Sequence, residues 1–375
     1  MNELFARAWR LFVTSFVNLA AVSLSTLLVG GANAQPLTGS GESKKPEIEL
    51  HFEKAEDAVK AGNFTKALES VTAALSLAEA NQQPQLAGMA YGWRSQIRFQ
   101  LGDVPEAISD LQHAAKAMEM AGGYVQAIGA LDEKSALEEG IGNMTAAEAS
   151  LVAARKLAST HALNEEGTAI ACSLVRLYVR MGKKGAAELA LADAESGPPT
   201  NDKGKGRLLL SRARYNSAFG DKGEALAAYK EAVPILLMTG DFSEAANAQY
   251  NQAVQLGEMK RFDEAETLLD EAVVNFSRVG SLGGAGMASS LKAWHLIEQD
   301  RLDAAETVLK QADKILRSAN FVASLAENEM RYAYYWRKRN DPAKSREFGE
   351  SAAILFEKMG AVDQARSLRE AFSGN

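Results

Sequence analysis

The sequence predicts an all-α solenoid of eight two-helix repeats closed by a C-terminal cap helix, and three observations carry that prediction. Turn-forming residues recur at Gly62, Gly102, Gly142, Gly182, Gly220, Lys260, Asp300 and Asn340, spaced 40 residues apart except for one interval of 38. A fixed period of this size is the signature of a repeat architecture. Small residues follow each turn at two offsets. Five positions on stand Ala67, Ala107, Ala147, Ala187, Ala225, Ala265, Ala305 and Ser345; twelve positions on stand Ala74, Ala114, Ala154, Ala194, Ala232, Ala272, Ala312 and Ala352. Between them, at offset nine, come Val71, Leu111, Leu151, Leu191, Tyr229, Leu269 and Leu309, with Gly349 in the last copy. Offsets of 5, 9 and 12 are i, i+4 and i+7, one face of a helix beginning just after the turn. A methyl side chain lets that helix approach its predecessor closely, and the bulky residue fills the space between the two alanines. Gly349 breaks this pattern, so the last repeat is expected to pack less well.

In chain order, residues 1–34 read as a signal peptide. Arg7 and Arg10 give a positive start, Leu11 to Val29 an apolar stretch, and Ala32-Asn33-Ala34 a small-residue cleavage site before Gln35. An uncleaved anchor is the rival reading, weakened by Thr14, Ser15, Asn18, Ser23, Ser25 and Thr26 within the apolar stretch. Residues 35–46 have the composition of a flexible linker. The eight repeats are expected to occupy residues 47–360, and no second domain is expected beside them.

Each second helix is expected to stop about eighteen residues after it begins, where Gly122, Gly240, Gly280, Asn320 and Gly360 suit a left-handed turn. Asp103 before Pro105, and Asn340-Asp341 before Pro342, read as caps with proline in the first turn. Pro234 falls inside a second helix and is expected to kink it. The run from Gly197 to Gly206, with two prolines and three glycines, ends the fourth repeat's second helix early and reads as a surface loop over 197–206, a candidate hinge between four-repeat halves. Residues 361–375 supply the cap helix and tail, with Ala365, Leu368 and Phe372 on one side and charged residues on the other.

These residues resemble the two-helix unit of the tetratricopeptide-repeat family, which carries a small residue at the turn, an aromatic two places on, and then alanine, a bulky residue and alanine. Phe64 and Phe262 keep the aromatic; Val104, Met144 and Leu302 are apolar substitutes, and Lys184, Lys222 and Pro342 depart from the pattern. The small residue that the family carries in mid first helix corresponds to Ala55, Ser95, Ser135, Ala213, Ala253, Ala293 and Ala333, with Val175 the exception. A 40-residue period is similar to the family's long-helix branch. The resemblance implies a right-handed superhelical solenoid.

The chemistry of catalysis is sparse. His51, His113, His161 and His295 fall in four different repeats without ligand-like spacing. Gly204-Lys205-Gly206 and Gly283-Gly284-Ala285-Gly286 lack the spacing of a phosphate loop. Cys172, the one cysteine, has no histidine near it in sequence and reads as a half-buried structural thiol. No metal, cofactor or catalytic residue is expected. The net charge of -7 argues against nucleic acid as a partner. Asn63, Asn143 and Asn275 match the glycosylation acceptor pattern, but the first two occupy turns, where asparagine caps helices.

What the resemblance implies instead is a binding surface on the concave side, lined by the first helices. Positions carried over from the family give Phe52 and Phe99, then Arg176 and Arg180, Arg207 and Arg214, Asn247 and Tyr250, Trp294, and finally Tyr334, Arg337 and Lys338. Stacked repeats would gather the four central arginines, suited to carboxylates of an acidic segment, with Tyr250 and Trp294 holding an apolar neighbour. The alternative is that these arginines are solvated or paired with glutamates nearby. The expected function is therefore an exported, non-enzymatic scaffold or adaptor, periplasmic or secreted, that binds a protein or peptide, with no membrane span after cleavage. The alternative is a ligand-sensing array that closes on a short peptide or small molecule.

Overall fold

The computed structural model describes residues 46–318, 322–358 and 361–372, and among these it contains helices and no strand. The signal peptide expected over 1–34 and all of the expected linker but Pro46 lie outside the described residues, as do Asn320 and Gly360. The chain divides into two compact units at Pro199 and Thr200.

In the first unit, four pairs follow one another: α1 (Glu47–Lys60) and α2 (Phe64–Ala80), α3 (Pro84–Leu101) and α4 (Val104–Met120), α5 (Tyr124–Gly140) and α6 (Met144–Thr160), α7 (Asn164–Arg180) and α8 (Lys184–Ser196). The second unit continues with α9 (Asp202–Phe219) and α10 (Lys222–Met238), α11 (Phe242–Glu258) and α12 (Phe262–Arg278), α13 (Leu282–Glu298) and α14 (Leu302–Ser318), α15 (Val322–Lys338) and α16 (Pro342–Lys358). The last helix, α17 (Val362–Phe372), packs on α16.

The turns explain the period. Gly62, Gly102, Gly142 and Gly182 all take positive φ, and so do Lys260, Asp300 and Asn340 at the equivalent places. The residue after the turn then bonds back across the helix end: Asn63 N donates to the Ala58 carbonyl at 2.8 Å and Arg261 N to the Leu256 carbonyl at 2.8 Å. This is a Schellman closure, which satisfies carbonyls the helix end would otherwise leave open. Gly122, Gly240 and Gly280 close second helices in the same way, as do Gln82 and Ala162, whose residue types gave no sign of it. Gly220 differs. Its φ is -118°, and a β-carbon there would meet Asn216 Oδ1 at 2.6 Å, so close approach rather than a left-handed turn requires glycine at this corner.

The alanine pattern is a packing pattern. All the alanines at offsets five and twelve are buried, and so are Val71, Leu111, Leu151, Tyr229, Leu269 and Leu309 between them. The mid-first-helix position is buried in all eight repeats, Val175 included. Two hydrogen bonds show how near the backbones come. Ser95 Oγ donates to the carbonyl of Ala107 at 2.8 Å, and Ser345 Oγ donates to the carbonyl of Ala333 at 2.9 Å. In both, a small residue of one helix touches the main chain of its partner, which a longer side chain would prevent.

Three expectations are corrected. Gly349 does not leave the last repeat poorly packed: Phe372 of α17 is buried against it, and a β-carbon on Gly349 would come within 2.8 Å of the Phe372 side chain. The loop expected over 197–206 is shorter, because 202–206 begin α9, where Asn201 Oδ1 accepts from Gly204 N at 2.7 Å as an N-cap. Asp103 occupies its N-cap position but makes no side-chain cap bond, while Asp341 does, accepting from Lys344 N at 3.0 Å. α10 runs through Pro234, and α8 ends at Ser196 after 13 residues, early as expected.

Candidate functional site

A cavity of about 630 Å³ opens in the first unit between the first helices α1, α3 and α5, with α4 beneath. Its floor is apolar and buried: Ile48, Phe52, Leu111, Ala114 and Met118. Leu86, Met89 and Trp93 form a half-buried wall, and Trp93 meets Phe52 edge-on with ring centroids 5.7 Å apart. These side chains converge because 86, 89 and 93 recur at the three- and four-residue spacing that puts them on one face of α3.

Glycine makes the cavity. Gly92 in α3 and Gly129 in α5 line it, and a β-carbon at either would meet nothing within 4 Å. Neither has positive φ, so the backbone does not require glycine there. Gly88 acts differently, letting Met118 lie against α3, where a β-carbon would stand 2.9 Å from Met118 Cγ.

The polar groups around this apolar space are amides and carboxylates: Gln83, Gln85, Gln96, Gln126, Glu49 and Glu133. Among the described residues no lysine, arginine or histidine lines it. Burial pushes the Glu133 carboxyl up to about 7, with the neighbouring Asp132 charge adding to the effect. Among the described residues no cation pairs with Glu133.

The residues expected to bind a partner are placed as follows. Arg176 and Arg180 of α7 come together on one carboxylate, Glu139 of α5, which is fully buried; the Arg176 pair measures 2.7 Å. Arg207 lies 3.7 Å from Asp241, and Arg214 pairs with Glu244, both at the start of α11. The two arginine pairs belong to different units. Each of the four arginines thus faces a carboxylate of this chain. Asn247 and Tyr250 are half-buried on α11, and Tyr250 packs against the core around Leu269 and Phe276. Trp294 meets Tyr334 edge-on at 5.3 Å, Tyr334 meets Phe372 at 5.0 Å, and the Arg337 guanidinium lies 4.6 Å over both of the last two rings. Phe99 is buried in the core, and Phe52 reaches a ligand only through the cavity floor.

Other marked residues take structural places. Asn63 and Asn143 cap α2 and α6, at 3.0 and 3.2 Å. Asn275 is buried in α12 and donates to Gln249 Oε1 at 3.0 Å. Cys172 is buried in α7. His113 stacks on Tyr91 and His161 on Tyr124. His295 is buried beside Phe262, and burial, with Arg331 nearby, lowers it to about 4. Gly284 and Gly286 in α13 give room to Phe276 and Leu316, whose side chains would lie 2.5 and 2.6 Å from added β-carbons. No described helix is long and apolar enough to cross a membrane.

Residues 52–121 match the family model for the tetratricopeptide repeat. A tetratricopeptide repeat protein from Parabacteroides merdae shares the fold at 17% identity, with a TM-score of 0.51 over 75% of this chain and 98% of that one. A signal transduction ATPase with numerous domains and a tetratricopeptide repeat sensor, from Pyrococcus horikoshii, aligns at 14% identity with a TM-score of 0.51. That alignment covers 87% of this chain and 55% of the ATPase. No curated protein matches the sequence. The fold class is an all-α repeat solenoid.

Proposed function

Taking as premise that the chain is a tetratricopeptide-repeat protein, we propose that it is an exported, non-catalytic scaffold that binds a protein or peptide partner through its first helices. The observation that carries this reading is the cavity between α1, α3 and α5, whose apolar floor and half-buried tryptophan wall have the form of an anchor pocket. In this reading, Arg180 in the first unit and Arg207 in the second are the arginines a partner carboxylate reaches. Their side chains are 33% and 39% exposed, against 16% and 17% for Arg176 and Arg214. Asn247, Tyr250, Trp294 and Tyr334 are the proposed contacts that accompany Arg207 on the second unit.

The test is crosslinking of the protein in its native envelope, comparing the wild-type chain with Gly92→Leu/Gly129→Leu, which fills the cavity. Partners crosslinked to the wild type and lost from the filled chain support the reading; identical crosslink profiles overturn it. Export has a separate check: N-terminal sequencing of the mature protein is expected to begin at Gln35, and a membrane-bound protein beginning at Met1 refutes cleavage.

The second reading, a sensor of a small molecule, is favoured by the cavity volume, which lies in the range of small-molecule sites. A small ligand would raise the melting temperature without any partner protein.

A further inference from the structure

We propose that the cavity between α1, α3 and α5 takes a basic-apolar peptide segment, whose apolar side chain enters between Phe52, Leu86, Met89 and Trp93 and whose lysine or arginine meets the Glu133 carboxylate. The inference rests on the reading of the chain as a peptide-binding scaffold and names the chemistry of what it binds.

Charge is the first argument. Among the described residues of this unit, the three buried carboxylates Asp110, Glu138 and Glu139 are all held by cations of the chain. Arg94 and Arg98 grip Asp110 at 2.7 Å each, Lys134 and Ser150 hold Glu138 at 2.6 and 2.7 Å, and Arg176 and Arg180 share Glu139. Glu133 is the exception among its neighbours. The lysine beside it in sequence, Lys134, is committed to Glu138 and Ser150, the latter at 2.8 Å. Glu49 lies on the same cavity, which no described cation lines. A carboxylate facing an apolar space without a counter-ion is the half of an ion pair that a ligand completes. The raised titration of Glu133 agrees with this, since burial and the Asp132 charge disfavour the ionised form and no described cation offsets them. An acidic segment would instead meet two carboxylates and, among the described residues, no compensating charge.

Room is the second argument, and it is independent of charge. Glycine inside a helix is less stable than alanine by about 0.5–1 kcal/mol. At Gly92 and Gly129 no neighbour occupies the place of the missing side chain. Unlike Gly257, Gly284 or Gly286, which make room for side chains of the protein, these two leave open space on the cavity that no described residue fills. Phe52 and Trp93 add aromatic surface beside the carboxylates, suited to the flank of a cationic side chain.

The experiment is selection of a displayed random-peptide library on the full chain, on Gly92→Leu/Gly129→Leu and on Glu133→Gln, followed by affinity measurement of the enriched peptides and of their Lys/Arg→Gln counterparts. Circular dichroism verifies folding of each variant, and Glu133→Gln keeps the test valid if the filled chain is misfolded. The expected result is enrichment of peptides with an aromatic or aliphatic residue close to lysine or arginine. Their binding weakens about tenfold or more on removal of the peptide charge or of the Glu133 charge, and it is lost when the cavity is filled. Enriched peptides that are acidic or uncharged, or that bind Glu133→Gln as they bind wild type, overturn the proposal but leave the chain a peptide-binding scaffold. Failure of the wild type to enrich any peptide over the filled chain overturns both.

Discussion

Replacing Gly257 with alanine is expected to destabilise the protein, although the same change at Gly129 stabilises it. Both glycines lie within helices, α11 and α5. Alanine is favoured over glycine in a helix interior by about 0.8–1 kcal/mol. At Gly129 a β-carbon enters open space, so the full gain should appear. At Gly257 it would stand 2.2 Å from Nε2 of His295, well inside contact distance. His295 has little freedom to retreat: it is 2% exposed and packed beside Phe262 with ring centroids 5.5 Å apart. Overpacking of this kind costs about 1–3 kcal/mol, which outweighs or cancels the helix gain. The two variants should therefore differ by about 1–3 kcal/mol in urea denaturation, with Gly129→Ala above wild type and Gly257→Ala at or below it. A second substitution, His295→Ala, should remove most of the Gly257→Ala penalty, because the clash and its cause are a single pair. Equal rises in the urea midpoint for both alanine variants would refute the close-contact reasoning.

Changing Ala232 or Ala272, both fully buried, to leucine should lower stability by about 1–3 kcal/mol through overpacking, read from denaturant midpoints; unaltered midpoints would count against the close approach of helix pairs. Arg176→Ala/Arg180→Ala strands the buried Glu139 carboxylate and should cost about 3–5 kcal/mol, part of which Glu139→Gln restores; a melting curve like that of wild type would mean that the carboxylate is solvated without its arginines. His295 has a folded pKa of about 4, below its ordinary value, so its contribution to stability is complete above about pH 6.5 and is lost as pH falls toward 4. Chemical denaturation across that window should show a steeper acid loss for wild type than for His295→Gln, and parallel curves would contradict the burial of a neutral ring.

The repeat was legible because each of its letters has a single physical reason. The residue at offset five must be small, since the Ser95 and Ser345 hydroxyls reach the main chain of the partner helix at that contact, and the buried alanine at offset twelve lies on the same helix face. Glycine, asparagine and aspartate suit a left-handed turn, and the period follows from repeating it. Ala162 and Gln82 take the same turn, and neither residue type advertises positive φ. The arginines of α7 and α9 were legible as a charged face, but their partners were not. Glu139 lies 37 residues before Arg176 and Glu244 lies 30 after Arg214, separations at which sequence spacing says nothing about contact.

The cavity was hidden for a different reason, and that reason bears on how it should be tested. Glycine in this chain plays three different parts: it closes turns at Gly62 and its equivalents, it admits a neighbouring side chain at Gly257 and Gly349, and it leaves space at Gly92 and Gly129. A sequence writes all three with one letter. Only the surroundings of the absent β-carbon separate them, and each predicts a different response to alanine. A turn glycine loses stability through strain, a contact glycine loses it through overpacking, and a cavity glycine gains it through helix propensity. Gain of stability together with loss of peptide binding, at Gly92 and Gly129 when larger side chains fill them, is the pattern that distinguishes a binding pocket from a packing defect. A defect, once filled, should yield the first effect without the second.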